Sequence, residues 1–442
     1  MGFELKSKYR TLNKKKVIAI YLISSFVSYL LYWFLKYKFG LLDKGEIFFD
    51  PADRFADLLK IIFSFDFIFS KDDLIKLKVP KLWINGNPYS GIYFGNATAT
   101  MALPPLTIIF LTTSAYMTNF ISINYMAFFI VLIIFLFFCS LLQVSKYKNA
   151  FANFLFIITS YPFLFLIDRG NLMAGISALF LFSLFNKFVK NKIFTNLDIL
   201  YFILACSIRP NYLIFGLLFL IKKNMKENVL NLIKISFSYI ASNAIFFVIA
   251  GNLLPNYNFQ NFRMMVNFYF TNPLSFSHWN SSLYGAIFNS YRFIFQYLES
   301  YNFKIVSNFI DRVVYSAKLP DLISLFFLSI LLIFYRWYLK NQESRISFLI
   351  ILSCTTILIT HPIGDYHLVI LVYLFLTIYN SNKADLYSTS LLIIAIIILP
   401  KVHMNSPNLN FSNLVNTLFL LWLYYINYFK YRINSQKRFN TE

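Results

Sequence analysis

Apolar runs of about bilayer-spanning length recur from one end of this chain to the other, punctuated by small clusters of lysine and arginine. A perpendicular helix needs about 20 mostly apolar residues to cross the hydrocarbon core, and every backbone N–H and C=O must be bonded within the protein there. Helices meet that demand locally. Charged residues make up only 13% of the 442, hydrophobic residues 58%, and mean hydropathy is +0.60. A soluble domain carries about 25% charged residues to wet its surface. The expected fold class is therefore an all-α polytopic membrane protein, a single integral membrane domain over residues 1–442.

The net charge of +21 does not point to nucleic acid, because the basic residues lie in small groups between apolar runs. That is how cytoplasmic loops orient a membrane protein. Cys139, Cys206 and Cys354 sit inside apolar runs with no CxxC spacing, so neither a disulfide framework nor a metal site is expected from them. Val17 to Leu35 is too long for a signal-peptide core and no small-residue cleavage site follows it, which reads as an uncleaved first helix. The Phe, Ile, Asn and Lys bias fits an AT-rich bacterial genome and hence a bacterial inner (cytoplasmic) membrane.

Lys6, Lys8, Arg10 and Lys14 to Lys16 place the N-terminus in the cytoplasm. Residues 36–103 then form a mixed-charge first extracytoplasmic loop with amphipathic stretches. Pro104–Thr113 reads as a re-entrant or interfacial helix and Ile121–Gln143 as a full span. Ala150–Ile167 goes out and Leu172–Phe188 returns to Lys187, Lys190 and Lys192. Leu197–Ser207 and Tyr212–Ile221 are both shorter than a span and both end at lysines, so they fit a broken hairpin whose apex is Arg209-Pro210-Asn211. Non-helical backbone at that depth is tolerated only beside protein or a water-filled cavity. Val229–Ala250 leads to a second long outer loop, 251–318. Leu319–Tyr335, Ile346–Thr360, His367–Tyr379, Leu386–Leu399 and Phe411–Phe429 complete about twelve crossings, with both termini cytoplasmic.

On that topology five polar clusters fall on the outer side: Asp50 to Arg54, Asp168 to Asn171, Arg209 to Asn211, Asn280 to Ser282, and His361 to His367. Ionisable groups at helix ends inside a bundle are costly and mark functional candidates. Asp50 or Asp53 could take a proton from an acceptor hydroxyl; alternatively Asp53 caps a surface helix and Asp50 is a solvated loop acid. Asp72-Asp73 is a weak metal pair, since adjacent loop acids are usually solvated. Arg169 could hold a phosphate bidentately with Asp168 orienting it, or the two could form a salt-bridged turn. Arg209 has no acid nearby in sequence; either a distant acid neutralises it or it receives an anionic ligand. His361, Asp365 and His367 lack the spacing of a helical zinc site. A histidine beside a phosphate leaving group and a helix-end histidine bonded to backbone both fit.

These pieces, taken in order, resemble glycosyltransferase family 87, polyprenol-phosphate-sugar-dependent enzymes of the GT-C fold. The resemblance is carried by Asp50 followed by Phe55-Ala56-Asp57-Leu58-Leu59, by Gly86-Asn87-Pro88-Tyr89, and by Pro104-Pro105-Leu106. Gly170-Asn171, Arg209-Pro210-Asn211-Tyr212, Asn280-Ser281-Ser282-Leu283-Tyr284-Gly285 and Asp365-Tyr366 continue it. The chain departs from the family's usual pattern at Leu103, at Arg209 and at Ser281. The resemblance implies a GT-C-like bundle of about twelve transmembrane helices that moves a hexose, such as mannose, from a polyprenyl-phosphate donor to an extracytoplasmic glycan or glycolipid acceptor. It implies an inverting displacement with Asp50 as base (Asp53 if the register is off). Arg209, Arg169 and His361 would hold the leaving phosphate, and Asp168, Asn171, Asn211, Asn280, Ser282, Asp365 and His367 would contact substrate. No cofactor is expected, because a monophosphate held by arginines does not strictly need a divalent metal; partners are the lipid-linked donor, the acceptor and membrane lipids, with no nucleic acid. The competing readings are an O-antigen or capsule polymerase, which would carry a large late outer loop rich in Arg, and a lipid-linked-glycan flippase or transporter, which would show inverted repeats.

Overall fold

The computed structural model describes residues 13–39, 93–94, 97–98, 103–120, 125–169, 171–220, 225–254, 257–271, 282–287, 290, 318–335, 342–359, 365–400, 405–406 and 409–439. Its helices are α1 (Lys14–Phe39), α2 (Pro105–Phe120), α3 (Tyr125–Val144), α4 (Ala150–Ile158), α5 (Tyr161–Arg169), α6 (Leu172–Val189) and α7 (Asn196–Ile208). After a long 3-10 helix, Pro210–Phe219, come α8 (Met225–Leu253), α9 (Phe259–Thr271), α10 (Lys318–Tyr335), α11 (Gln342–Ile359), α12 (Val369–Tyr379), α13 (Ser388–Ile398) and α14 (Phe411–Phe439). Short 3-10 turns at Asp365–Leu368 and Ala384–Tyr387 lead into α12 and α13. Two antiparallel pairs of two-residue strands, Tyr93–Phe94 with Ala97–Thr98 and Asn405–Ser406 with Leu409–Asn410, are the only strands among the described residues.

This is an all-helical membrane architecture. Among the described residues α6, α8 and α11 are each long and apolar enough to cross a bilayer, and α4 with α5 makes a fourth span if the bent pair counts as one. Other apolar helices are 10–17 residues long. A helix that is apolar all round belongs in a core, and every residue of α12 is buried. It packs on α6 and α13. The apolar stretch of α11 is 83% buried and that of α8 only 6%, which separates the centre of the bundle from its rim. Outward-facing Ile233, Phe237 and Ile240 on α8, like Ile130, Ile134 and Phe138 on α3, form apolar stripes on the rim. Stripes of that extent are stable only against another apolar phase.

The run expected to cross once at 150–167 is instead two helices bent by 59°. Pro162 explains the break: it has no N–H to give the carbonyl of Ile158, and its ring crowds that carbonyl. Thr159 Oγ1 and Ser160 Oγ then donate to the carbonyls of Leu155 and Ile157, both at 2.7 Å. The expected short helix at 104–113 is likewise longer, running to Phe120.

The α6–α7 hairpin is fixed from both sides. Asn191 takes a left-handed φ of 54° just past α6, and Lys192 N–H donates to Lys187 O while Asn191 N–H donates to Phe188 O. That is a Schellman ending, in which asparagine substitutes for the usual glycine. Asp198, in the first turn of α7, accepts from the Thr195 N–H at 2.6 Å and the Thr195 hydroxyl at 2.8 Å. Its two oxygens also receive Lys187 Nζ at 2.7 Å each. At the same end Lys383 pairs with Glu343 at 2.7 Å and the Lys14 N–H donates to Asp385 at 2.9 Å. One end of the bundle is thus closed by charge pairs. Because Asp198 is 1% exposed, Asp198→Asn leaves buried donors facing an amide. It is expected to destabilise the protein by about 2 kcal/mol, read as a lower unfolding temperature in detergent, whereas exposed Lys192→Gln changes it little.

Candidate functional site: an arginine cluster at one end of the bundle

The opposite end is shaped by a proline. Arg209 N–H donates to Ala205 O at 2.8 Å, closing the last turn of α7. The residue before a proline is pushed out of the helical region, and Arg209 accordingly adopts φ −136° and ψ 89°. Pro210 then opens the 3-10 helix, where its missing N–H costs nothing. Thirteen residues of α7 rise about 20 Å and ten residues of 3-10 helix also about 20 Å, against about 30 Å for a hydrocarbon core. The expected broken hairpin is present, with Arg209 at its apex.

Two other segments meet Arg209. Asn171 stands between α5 and α6; its N–H donates to Leu166 O at 2.9 Å and its carbonyl accepts from Ala174 at 3.0 Å. His367 lies in the turn Asp365–Leu368, buried at 5% exposure. Arg209 Nη2 donates to Asn171 Oδ1 at 2.6 Å, and Arg209 Nη1 lies 3.3 Å from His367 Nε2. A guanidinium can only donate, so Nε2 accepts and the imidazole proton resides on Nδ1. Both partners are neutral. They orient the guanidinium without cancelling its charge.

A cavity of about 30 Å³ borders the cluster, lined by Leu103, Pro104, Thr107, Asn171, Ile208 and Arg209, enough for about two waters. Its rim is tied across the bundle, since Tyr257 O–H donates to Leu103 O at 2.7 Å. Gly251 permits that placement, because a Cβ there would lie 2.9 Å from Tyr257 O. Further along the same 3-10 helix, an apolar groove of about 480 Å³ opens on the side of the bundle. Leu213, Leu217 and Leu220 face Leu232 and Tyr239 of α8 and Leu328 of α10 across it.

Of the residues singled out in the sequence, Arg209, Asn171 and His367 come together. Asn211 follows in the first turn of the 3-10 helix, half-buried. Helix α5, which ends in Asp168-Arg169, packs against the 365–368 turn; the side chains of Asp168, Arg169 and Asp365 lie outside the described residues. Ser282 is buried and its Oγ accepts from Gly285 N–H at 3.0 Å, a local cap, while its carbonyl lies 3.5 Å from Thr417 Oγ1. Asp50, Asp53, Asp72, Asp73, Asn280 and His361 lie outside the described residues, as do the 55–59 and 86–89 segments. The sequence offered no signal for the direct contacts among Arg209, Asn171 and His367. The proline after Arg209 was the nearest hint.

The chain matches no protein-family model, no curated protein and no solved structure.

A short hydrogen bond from a charged donor contributes about 1.5–3 kcal/mol. Asn171→Ala and Arg209→Gln are therefore expected to be non-additive, with a coupling of about 1–2 kcal/mol in a double-mutant cycle read by unfolding. Additive losses would mean that the 2.6 Å contact contributes no stability.

Proposed function

We propose that this chain is a membrane glycosyltransferase of the GT-C type that moves a hexose, such as mannose, from a polyprenyl-phosphate donor to an extracytoplasmic glycan or glycolipid. The observation that carries the reading is Arg209. Its guanidinium is oriented by Asn171 and His367, beside a small cavity, and Arg209 caps a 3-10 helix that lines an apolar groove. A fixed guanidinium matches a phosphate oxygen pair, and a lipid-borne phosphate needs an apolar channel within reach of it. The ordered set of short motifs from Asp50 to Tyr366 supports the same class.

In the proposed step the acceptor hydroxyl gives its proton to Asp50 and its oxygen attacks the anomeric carbon. The bond from that carbon to the phosphate oxygen breaks with inversion, and polyprenyl phosphate leaves with the electron pair. Arg209, with Arg169 and His361 as further candidates, stabilises the charge growing on the leaving group. The proposed setting is a bacterial cytoplasmic membrane with about twelve crossings, the charge-paired end inward and the Arg209 end outward.

The test uses the full chain in proteoliposomes, supplied with polyprenyl-phosphate-linked mannose, glucose and galactose, and follows release of polyprenyl phosphate. Asp50→Asn is expected to lower turnover by about 10²–10⁴-fold at unchanged abundance. Arg209→Ala is expected to lower it by about 10²–10³-fold. Wild-type rates in Asp50→Asn would remove Asp50 as the base and move the role to Asp53; no transfer from any of the three donors would count against this donor class.

A further inference from the structure

At the charge-paired end of the bundle, Arg345 is a buried cation with no ion pair among the described residues. Arg345 lies in the first turn of α11 at 8% exposure. Its Nε is sealed from solvent and donates to no acceptor, and no hydrogen bond or ion pair of Arg345 occurs among the described residues. Three carboxylates at this end are engaged elsewhere. Asp198 receives Lys187, Glu343 pairs with Lys383, and Asp385 accepts from the Lys14 N–H. A helix N-terminus carries partial positive charge, so α11's own dipole makes the position worse for a cation. Burial of an unpaired charge is costly, and the carboxylate of α11 itself, Glu343, is held by Lys383.

The side chain's setting is legible from its neighbours one turn on. Phe348 shares the helix face of Arg345 at i+3, and its ring lies 6.3 Å from that of Phe188 near the end of α6. Lys187 and Lys190 flank Phe188 in the chain; Lys190 Nζ sits 5.4 Å over the Tyr147 ring. The guanidinium therefore belongs to a face turned toward a cation-rich rim. Ser347, two residues on, donates to Tyr387 Oη at 2.7 Å, the tyrosine's own proton going to Glu343 O at 2.6 Å, so it does not compete for an incoming group.

We propose that Arg345 is a binding site for a phosphate monoanion, borne by a phospholipid headgroup or free in solution. A phosphate oxygen pair would meet the guanidinium on its Nη edge, which is not sealed as Nε is, in the way a carboxylate normally does. The position at the charge-paired end of the bundle, close to the end of α6 that carries Lys187 and Lys190, is one where anionic headgroups concentrate. The site is separate from Arg209, at the other end of the bundle, and does not depend on any transfer chemistry.

The test measures unfolding of the full chain as wild type, Arg345→Met and Lys192→Gln. Each is placed in nanodiscs of phosphatidylcholine alone or doped with phosphatidylglycerol, and separately in lipid-free detergent with and without inorganic phosphate. Phosphatidylglycerol, inorganic phosphate or both are expected to raise the unfolding temperature of wild type and Lys192→Gln but not of Arg345→Met. The responding probe tells the lipid-borne source from the free one, with binding about tenfold tighter in wild type than in Arg345→Met. In detergent without phosphate the order is expected to invert, Arg345→Met being at least as stable as wild type, because an unpaired buried charge has been removed. No response of wild type to either probe, or equal responses in wild type and Arg345→Met, would overturn the site. Equal loss in Lys192→Gln would reassign the effect to general surface charge and overturn it as well.

Discussion

A guanidinium enclosed at the end of an apolar bundle must arrive with its hydrogen bonds already arranged, and Arg209 meets that condition through Asn171 and His367. The two contacts join chain positions 38 and 158 residues away from it. They can form only if α5–α6, α7 with its 3-10 continuation, and the entry to α12 all end at the same height. The pairing of Lys187 with Asp198 sets that height from the far end, since it closes the α6–α7 hairpin. The fold is thereby clamped at both ends by polar groups and filled between them by α6, α11 and α12.

The two clamps differ in kind. At one end carboxylates receive lysines, so charge is cancelled within the chain. At the other, the two partners of Arg209 seen here are an amide and an imidazole accepting through Nε2, which orient but do not neutralise. Arg345 is a third case, a buried cation with neither among the described residues. In a medium where an isolated charge costs several kcal/mol, charge is cancelled in the first arrangement, oriented in the second and left without a described partner in the third.

Much of this could be read in the sequence, for physical reasons. Apolar runs bounded by lysines locate helices because the hydrocarbon core imposes length and composition together. The two segments around Arg209-Pro210 located the apex because each is too short to span and each ends at lysines, so the chain must turn back between them. Pro162 carried an equally direct signal, yet the run around it is so apolar that it reads as one span; only the structure shows a 59° break. Asn171 and His367 were visible as polar residues at helix ends. Their shared contact with Arg209 was not, because no local pattern reports a contact across 158 residues. Arg345, just before the Ile346–Thr360 run, carries no local sign of its burial, which depends on packing against α6 that periodicity does not encode.

The 3-10 helix after Pro210 shows how one local choice serves both the core and the groove. With three residues per turn, side chains at i and i+3 eclipse and form straight rows. Tyr212, Phe215 and Leu218 make one such row and are all buried; Leu213 with Gly216, and Ile214 with Leu217 and Leu220, make the rows that line the groove. An α-helix would rotate each row by about 60° per three residues, so the buried face would drift out and the groove would not run straight. It would also rise only about 15 Å over the same ten residues, too little to carry the chain back to the level where α7 began. The poorer hydrogen bonds of a ten-residue 3-10 run are offset by Tyr212 and Phe215 packing at 6.0 Å and by Phe219 against Phe194 and Phe202. The same 3-10 helix that follows Arg209 therefore both fills the core with one row and lines the apolar groove with the others.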